Sequence, residues 1–498
     1  MRMAQRREQP VYVVGEPPGE KPRRVWAYLT VFVISSFIVS QWFRAGTFIS
    51  TGDMGAFIRR GWQPEMAWSW NHQISGGGSA AHTIGRAFEF ILIDFVGLFG
   101  FDETVAQWLF YTIIYGAVGF GMAFVAGALV RSNTAVVFAG TFGVMNGFFL
   151  TRLPNPLNII SVATIAIITG LAIRIALGRR IPAPVAGLLF WPVAFLAFNP
   201  PMFVVAAGWA AAGTIMIGAL FVGWQGVRRI IIWQILGAPW ILLLNAWWML
   251  PFIQAYTGGG GAEANATFTD PTNWSWSQIN NQIPNILTMV ANWAWFKAQY
   301  LPFAAQLDEP WWIWVRYMLP TVVFLAALVG LARRRRVAFT SLGLVGLFVF
   351  LAKGLNEPLA DVNLWLYLNA PMFWLFREPM SKLGQVLVTL FAILIAIFVE
   401  GLLSRLAASR RARAPGKAEV AAASTRRRIT ARARDLAVPV GVGVGMLAAA
   451  LAILYPHPLL TGKAIPDERP LQPAAHVRVP EYWRDMADTI DSDPRSGK

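Results

Sequence analysis

The sequence predicts an all-α polytopic membrane protein with about 11 transmembrane helices, whose external loops carry interfacial helices. Of its 498 residues, 56% are hydrophobic and only 14% are charged, whereas a water-soluble domain carries about a quarter charged residues. The hydrophobic residues form several runs of about 17 to 25 residues, each long enough to cross the core of a bilayer. The basic residues behind the net charge of +16 lie in short clusters between these runs. Together these observations indicate a polytopic membrane protein.

The first apolar run, VWAYLTVFVISSFIVSQWF, follows a basic N-terminus, as the core of a signal peptide does. It is longer than such a core and no small-x-small cleavage site follows it, so we expect it to remain as the first span. The later runs predict the other spans in order. The full set lies at 25–43, 105–130, 134–150, 157–177, 183–199, 201–224, 230–252, 312–332, 337–353, 384–403 and 437–455.

The segment FEFILIDFVGLFG, 88–100, is apolar but is not predicted to cross the membrane. It is about 13 residues long and carries Glu89 and Asp94, which makes it too short and too polar for a span. If it did cross, every later basic cluster would move to the outside. We therefore predict an interfacial helix on the outer surface.

The basic clusters set the predicted orientation. With the N-terminus inside, alternation places all of them on the cytoplasmic side, as the positive-inside rule requires. Clusters of this kind do not form a continuous basic face that could bind the groove of a nucleic acid. We therefore predict membrane lipids and no nucleic acid as partners. The expected location is the plasma (inner) membrane, with a multi-pass domain at 1–455 and an extracytoplasmic tail at 456–498. The clusters are Arg131, Arg179–Arg180, Arg228–Arg229, Arg333–Arg336 and the segment 405–434.

Four segments are predicted to be external: 44–104, 254–311, 354–383 and the tail. They contain all four histidines and are rich in Trp, Asn and Gln, a composition that suits sugar rings and their hydroxyls. Most of the 23 tryptophans fit equally an aromatic belt at the bilayer boundary. The short turn TRLPNPLN also faces outward and is expected to carry little chemistry. The candidates for sugar contact are Trp274 and Trp276, which lie far from span ends, with His72 and Glu65 of the first loop.

Asp53 lies a few residues beyond the first span. As a structural residue it would cap a helix that begins near Met54, because TGD before an apolar turn is a good N-cap pattern. As a chemical residue it would take the proton from an acceptor hydroxyl. Position alone favours the cap, and both interpretations stay open.

Two cations, Arg377 and Lys382, lie in the element FREPMSK at the external boundary of a span. They could extend toward lipid headgroups, the ordinary role of such residues. They could instead hold a phosphate, for which Arg supplies a forked donor and Lys a point charge. The Glu-Pro between them predicts a turn that would aim both at one place. Weaker candidates of the same kind are Arg59, Arg60, Arg86 and Lys297.

Other site types are poorly supported. The sequence SGGGS at 75–79 lacks the GK[ST] ending and the preceding strand of a phosphate loop. No cofactor is predicted and no metal-ligand spacing stands out. A divalent ion held by Asp53 with Glu65 or Asp308 remains an open alternative.

These features resemble the GT-C class of membrane glycosyltransferases, and within it the actinobacterial arabinofuranosyltransferases of the AftD type. The residues that carry the resemblance are Asp53 after the first span, LLLNAWWMLPFIQAY (242–256) followed by TNWSWSQ, and FREPMSK entering a span. The tail, from YPHPLL onward, resembles the start of an extracellular domain in such proteins. We expect either that it is the truncated start of a soluble domain or that another chain supplies the rest.

The resemblance implies a sugar transferred from a polyprenyl-phosphate donor to a glycan or glycolipid acceptor at the outer face, with inversion. Asp53 would be the general base. Arg377 and Lys382, with Arg59 and Arg60, would bind the donor phosphate. Two alternatives from other classes remain: a transporter or flippase of a lipid-linked intermediate, and a non-catalytic scaffold of an envelope-assembly complex. The first would predict charges lining a membrane path and an internal repeat.

Overall fold

The structure is a computed structural model, and it describes residues 24–51, 70–71, 78–79, 87–196, 199–257, 270–371, 373–413, 425–465, 467, 475–478 and 480–492. Helices dominate this part of the chain. They are α1 (Val25–Ser40), α2 (Ala87–Gly97), α3 (Glu103–Leu129), α4 (Asn133–Val144), α5 (Gly147–Arg152), α6 (Pro156–Ala176), α7 (Pro184–Leu196), α8 (Pro200–Gly208), α9 (Thr214–Ile217), α10 (Trp224–Thr257), α11 (Ile283–Leu287), α12 (Ala304–Leu307), α13 (Pro310–Arg316), α14 (Met318–Val329), α15 (Arg335–Ala352), α16 (Ala360–Asn369), α17 (Pro379–Arg413), α18 (Thr425–Leu454), α19 (His457–Leu460) and α20 (Glu481–Ser492).

Short non-α elements connect these helices. Two π-helical turns flank α9, at Trp209–Gly213 and Gly218–Val222. Four two-residue strands form two antiparallel pairs, β1 with β4 and β2 with β3. The remaining elements are the strands β1 (Phe48–Ile49), β2 (Trp70–Asn71), β3 (Gly78–Ser79) and β4 (His476–Val477) and the 3-10 turns Pro271–Asn273, Ser275–Gln278, Ala332–Arg334 and Phe373–Phe376.

The predicted fold class, an all-α polytopic membrane protein, is confirmed at that level. Within the described residues, nine helices are long and apolar enough to cross a membrane. Two further apolar helices, α1 and α7, have 16 and 13 residues. The count of 11 spans therefore stays a prediction.

Helix boundaries follow ordinary capping chemistry. Asp102 accepts hydrogen bonds from the amides of Thr104 and Val105 and so begins α3. Asn146 and Asn155 cap α5 and α6 in the same way. Small polar side chains at these positions satisfy amides that have no partner within the helix. The capping residues therefore lie at the points where one helix ends and the next begins.

Two helices form the centre of the bundle. In both α6 and α17, 94% of the most apolar 18-residue window is buried, against 17% in α10. Ser161 of α6 donates a hydrogen bond to Gln385 of α17, and both side chains are completely buried. Small residues allow close packing around this pair: a Cβ on Gly121 of α3 would lie 2.9 Å from Ala166 of α6. The two central helices are therefore fixed against each other near the point where both begin.

One end of the bundle gathers basic residues, and we call it the basic end. Arg24, before α1, donates to the carbonyl of Val130 after α3 at 2.6 Å. The backbone amide of Arg131 donates to Glu400 Oε1 at 2.6 Å, and Arg334 lies 3.9 Å from the other carboxylate oxygen. These contacts join the segment before α1, the turn after α3, the turn before α15 and the later part of α17, which the sequence places on one side of the membrane. The opposite end, where α6 and α17 begin, is called the site end.

Helix α2 occupies the segment for which an interfacial helix is predicted. Its Leu92 and Val96 are buried and it packs on α3, while Ile91 and Phe95 are each 50% exposed. One face of α2 thus belongs to the protein core and the other is an open apolar face. That α2 lies at the membrane surface stays a prediction.

The described part of the tail packs against the first span. The indole of Trp42 donates to the carbonyl of Leu459 at 2.8 Å. Strand β4 pairs with β1, and the amide of Ser50 donates to the carbonyl of Ala475 at 2.7 Å. The tail therefore fixes the chain just before residue Thr51.

Candidate functional site: a polar cavity at the site end

A cavity of about 490 Å³ opens at the site end of the bundle. Four stretches of chain line it, and they are far apart in sequence. They are Thr51 after β1, the turn 151–158 between α5 and α6, the loop 277–301, and 378–381 at the start of α17. Amides, hydroxyls and charged groups thus meet at the end of an otherwise apolar bundle.

The first turns of α6 and α17 both face this cavity. Asn155 caps α6 and Asn158 lies in its first turn, while Met380 and Ser381 lie in the first turn of α17. Amides in the first turn of a helix have no partner within it, and the helix dipole makes this end partly positive. Two helix N-termini therefore favour an anion at the same place.

Arg152 supplies a cation to the cavity wall. Only 8% of it is exposed, and its guanidinium donates to the hydroxyl of Thr151 at 2.8 Å and to the carbonyl of Ala291 at 2.6 Å. The close approach of α5 to this loop requires Gly147, because a Cβ there would lie 2.9 Å from the carbonyl oxygen of Thr288. The arginine is therefore held rigidly, with its charge beside the cavity.

The element FREPMSK reaches the cavity through Glu378. The Nζ of Lys382 lies 3.5 Å from Glu378 Oε2, and only 5% of Lys382 is exposed. The sequence predicts a non-helical turn at Glu-Pro, but helix α17 begins at Pro379. Lys382 therefore lies in the first turn of that helix. The carbonyl of Arg377 accepts hydrogen bonds from Ser277 Oγ at 3.1 Å and Gln278 Nε2 at 2.8 Å, which fix the backbone before the helix.

A polar floor lies between α6 and α17. Asn158 Oδ1 accepts a hydrogen bond from Ser381 Oγ at 3.3 Å and another from Gln385 Nε2 at 3.4 Å. Asn158, Ser381 and Gln385 are all buried. The floor thus binds the two central helices together directly beneath the cavity.

Aromatic rings form part of the cavity wall. The ring of Trp293 lies edge to face with Trp276 at 5.2 Å and with Tyr300 at 5.0 Å, and the Nζ of Lys297 lies 4.8 Å from its centre. Of these, Trp293 and Tyr300 line the cavity. Trp276 is 54% exposed beside them. Stacking surfaces for a sugar ring are therefore present at this site.

Trp274, the other tryptophan predicted to contact sugar, has a different environment. It is 4% exposed and lies edge to face with Tyr367 at 4.8 Å. Burial raises the pKa of the Tyr367 hydroxyl, although a hydrogen bond from Gln278 opposes that shift. Trp274 packs inside the loop and does not line the described cavity.

The other predicted site residues fall outside the described part of the chain. These are Asp53, Arg59, Arg60, Glu65 and His72, with the weaker candidate Arg86. Asp53 follows Thr51, which lines the cavity, by two positions. The placement of all six stays a prediction.

No metal site forms within the described residues, where no group of three or more His, Asp or Glu side chains comes together. Asp308, one of the residues considered for a divalent ion, already accepts from Trp295 Nε1 at 2.7 Å and lies 3.1 Å from Arg316 Nη1. Its carboxylate therefore acts in a structural network.

The sequence interpretation gave the turn TRLPNPLN no chemical role, yet this turn supplies Arg152, Asn155 and Asn158 to the cavity. One signal was available in the sequence. An arginine and two asparagines at the junction of two spans are costly near a bilayer unless they bind something. What they face depends on loop 277–301, which lies more than a hundred residues away.

An apolar cavity of about 220 Å³ lies between the membrane-spanning helices. Phe88, Ile114, Phe195 and Trp247 line it, with Ile160 of α6. Helix α6 thus contributes to both cavities, but from different faces, because Asn158 and Ile160 are two positions apart and point to opposite sides of the helix.

No family model, curated protein or solved structure matches the chain.

Proposed function

We propose that this protein is a glycosyltransferase of the GT-C type. It transfers a sugar, arabinofuranose or another pentose or hexose, from a polyprenyl-phosphate donor to a cell-envelope glycan or glycolipid. The reaction takes place at the outer face of the plasma membrane. The observation that carries this proposal is the cation-bearing polar cavity at the site end of a bundle that also holds an apolar cavity between its helices.

The electrostatics of the polar cavity suit a leaving phosphate. Arg152 and Glu378 line the cavity, Lys382 pairs with Glu378 behind it, and two helix N-termini face the same space. When the bond between sugar and phosphate breaks, negative charge grows on the phosphate. Donors that are already in position stabilise that charge without reorganising. The two cations and the helix N-termini would therefore stabilise the departing group.

The apolar cavity suits the lipid portion of the same donor. Its lining is almost entirely hydrocarbon and aromatic, and it lies between helices long enough to span the bilayer. An isoprenoid chain that enters it from the bilayer exchanges one hydrocarbon environment for another, so close packing rather than transfer from water would hold it there. The chain would lie against one face of α6, and the phosphate would lie at the N-terminus of the same helix.

The general base in this proposal is Asp53. Asp53 follows Thr51, a residue of the cavity wall, by two positions in the sequence. From there its carboxylate would take the proton of the acceptor hydroxyl as that oxygen attacks the anomeric carbon. The inverting outcome follows from a single displacement.

The test is Asp53→Asn in the purified full chain, assayed for transfer of radiolabelled sugar from polyprenyl phosphate. We expect transfer to fall by about 100-fold or more, because general base catalysis contributes at least that factor. Asp102→Asn is the matched control: Asp102 caps α3, and Asn caps a helix equally well. Wild-type transfer by Asp53→Asn would dismiss Asp53 as the base.

A further inference from the structure

The amide of Asn158 is a buried polar group that the proposed mechanism leaves unused. It lies in the first turn of α6, is 3% exposed, and lines the polar cavity. A side-chain amide has one accepting oxygen and one nitrogen with two donated hydrogens. Which of the two atoms faces the cavity decides what it can bind.

The surrounding hydrogen bonds fix the orientation of this amide. Gln385 Nε2 lies 2.9 Å from the backbone carbonyl of Ser381, which can only accept, so that atom must be the nitrogen. The same nitrogen lies 3.4 Å from the Asn158 side chain, so the atom it meets there must be the oxygen. Ser381 Oγ donates to that oxygen as well. Asn158 Oδ1 therefore faces the polar floor.

The nitrogen of Asn158 points the other way. Within the described part of the chain Nδ2 donates to no protein acceptor. It is also absent from the fully enclosed polar atoms that lack a partner, so it is open to the cavity. A donor fixed in a buried side chain is costly to leave unpaired. A ligand oxygen in the cavity would satisfy it.

We propose that Asn158 Nδ2 donates a hydrogen bond to a phosphate oxygen of the bound donor, and that Gln385 and Ser381 are the positioning residues that aim it. An anionic oxygen is favoured because the N-termini of α6 and α17 and the charge of Arg152 act at the same cavity. Asn158 is thus a specificity-determining residue for an isoprenyl phosphate. This inference rests on the proposed function.

The test measures binding of farnesyl phosphate, a short isoprenyl phosphate, to the full chain in detergent. Asn158→Asp keeps the oxygen that faces Ser381 and Gln385 but replaces the donor with a second anionic oxygen. We expect its affinity to fall by about 100-fold, since hydrogen bonds to charged groups reach that magnitude. Asn158→Ala, which removes the donor without adding charge, should lose about 10-fold and serves where the aspartate variant fails to fold.

Asn292→Asp is the matched control. Asn292 lines the same cavity, but its Nδ2 already donates to the carbonyl of Thr151 at 3.1 Å and its Oδ1 accepts from the amide of Ala294 at 2.8 Å. We expect this variant to lose much less affinity. Equal losses at the two positions would reduce the effect to cavity charge and overturn the proposal.

The outcomes separate this inference from the proposed function. If the wild-type chain binds farnesyl phosphate and Asn158→Asp and Asn158→Ala bind it equally well, Asn158 is not a ligand and the donor proposal stands. If the wild-type chain does not bind farnesyl phosphate at all, both proposals are overturned. Unchanged elution in size-exclusion chromatography confirms that each variant is folded.

Discussion

Two buried arginines lie at opposite ends of the bundle. They are alike in burial and in their contact with an aromatic ring, but they differ in whether they line a cavity. Arg152 at the site end is 8% exposed, and its guanidinium lies 4.9 Å from the centre of the Phe148 ring. Arg174 at the basic end is 7% exposed, and its guanidinium lies 3.5 Å from the centre of the Phe124 ring. Both donate to backbone carbonyls. Arg152 also lines the polar cavity, whereas Arg174 packs against α3. Burial of a cation therefore does not by itself indicate a ligand site.

The carboxylates of the two ends differ in the same way. Glu378 at the site end has a side chain that is 38% exposed and lines the cavity. Glu400 at the basic end is 3% exposed, and it accepts from the amide of Arg131 and lies beside Arg334. At the basic end, charged side chains connect different segments of the chain. At the site end, charged side chains line the polar cavity. We infer that the basic end serves stability and the site end serves binding.

The largest expected effect separates the two arginines. Arg152→Met should lower the rate of sugar transfer by about 100-fold to 1000-fold, because it removes a positioned cation from the leaving phosphate. Arg174→Met, the matched variant at the basic end, should leave transfer per folded molecule unchanged. Both are measured with radiolabelled donor on purified protein. Similar losses in the two variants would show that Arg152 acts only through the fold.

A smaller effect is expected at the basic end. Glu400→Gln keeps an oxygen for the amide of Arg131 but removes the charge beside Arg334. The free energy of unfolding should fall by about 3 kcal/mol, because removing one charge of a buried ion pair leaves the other charge uncompensated by it. Unfolding in mixed micelles measures this, and transfer by the folded fraction serves as the control. A variant that is stable but inactive would contradict the division between the two ends.

The smallest effect concerns the tail, which packs at the site end. The ring of His457 stacks on that of Trp312, with ring centres 4.5 Å apart. Burial lowers the pKa of His457, and the charge of Lys463 lowers it further. A hydrogen bond to the Tyr455 carbonyl opposes this shift of the pKa. The unfolded chain therefore binds the proton more readily. Stability should be fully present above the unfolded pKa of about 6.5 and should decline as the pH falls through the folded pKa. His457→Phe keeps the stacking and should remove this part of the pH dependence of the unfolding temperature. An identical profile in both proteins would exclude His457 as the group responsible.

The sequence predicted the positions of the long apolar helices well because apolar length is a local property. The run predicted at 157–177 corresponds to α6, Pro156–Ala176, and the run at 337–353 to α15, Arg335–Ala352. Each boundary is set by a few neighbouring residues, such as the capping Asn155. The site was harder to predict. The charges of FREPMSK predict a binding site at that element. Arg152 and Asn158, in contrast, belong to a short turn for which the sequence predicts little chemistry.

The tryptophans show the same limit. Trp274 and Trp276 are two residues apart and read alike in the sequence, yet one is 4% and the other 54% exposed. Their difference comes from Tyr367 and Trp293, which belong to other segments. No local pattern contains that information.

By itself the sequence determined that this chain is built from membrane-spanning helices and that its basic turns belong together. Both properties depend on the transfer of about 20 consecutive residues into a bilayer, which neighbouring side chains decide. Only the tertiary structure decided which polar groups face a cavity. The oxygen of the Asn158 amide is bonded while its nitrogen, among the residues that the structure describes, is not, and this leaves the nitrogen available to a ligand. That arrangement depends on Ser381 and Gln385, more than two hundred residues away.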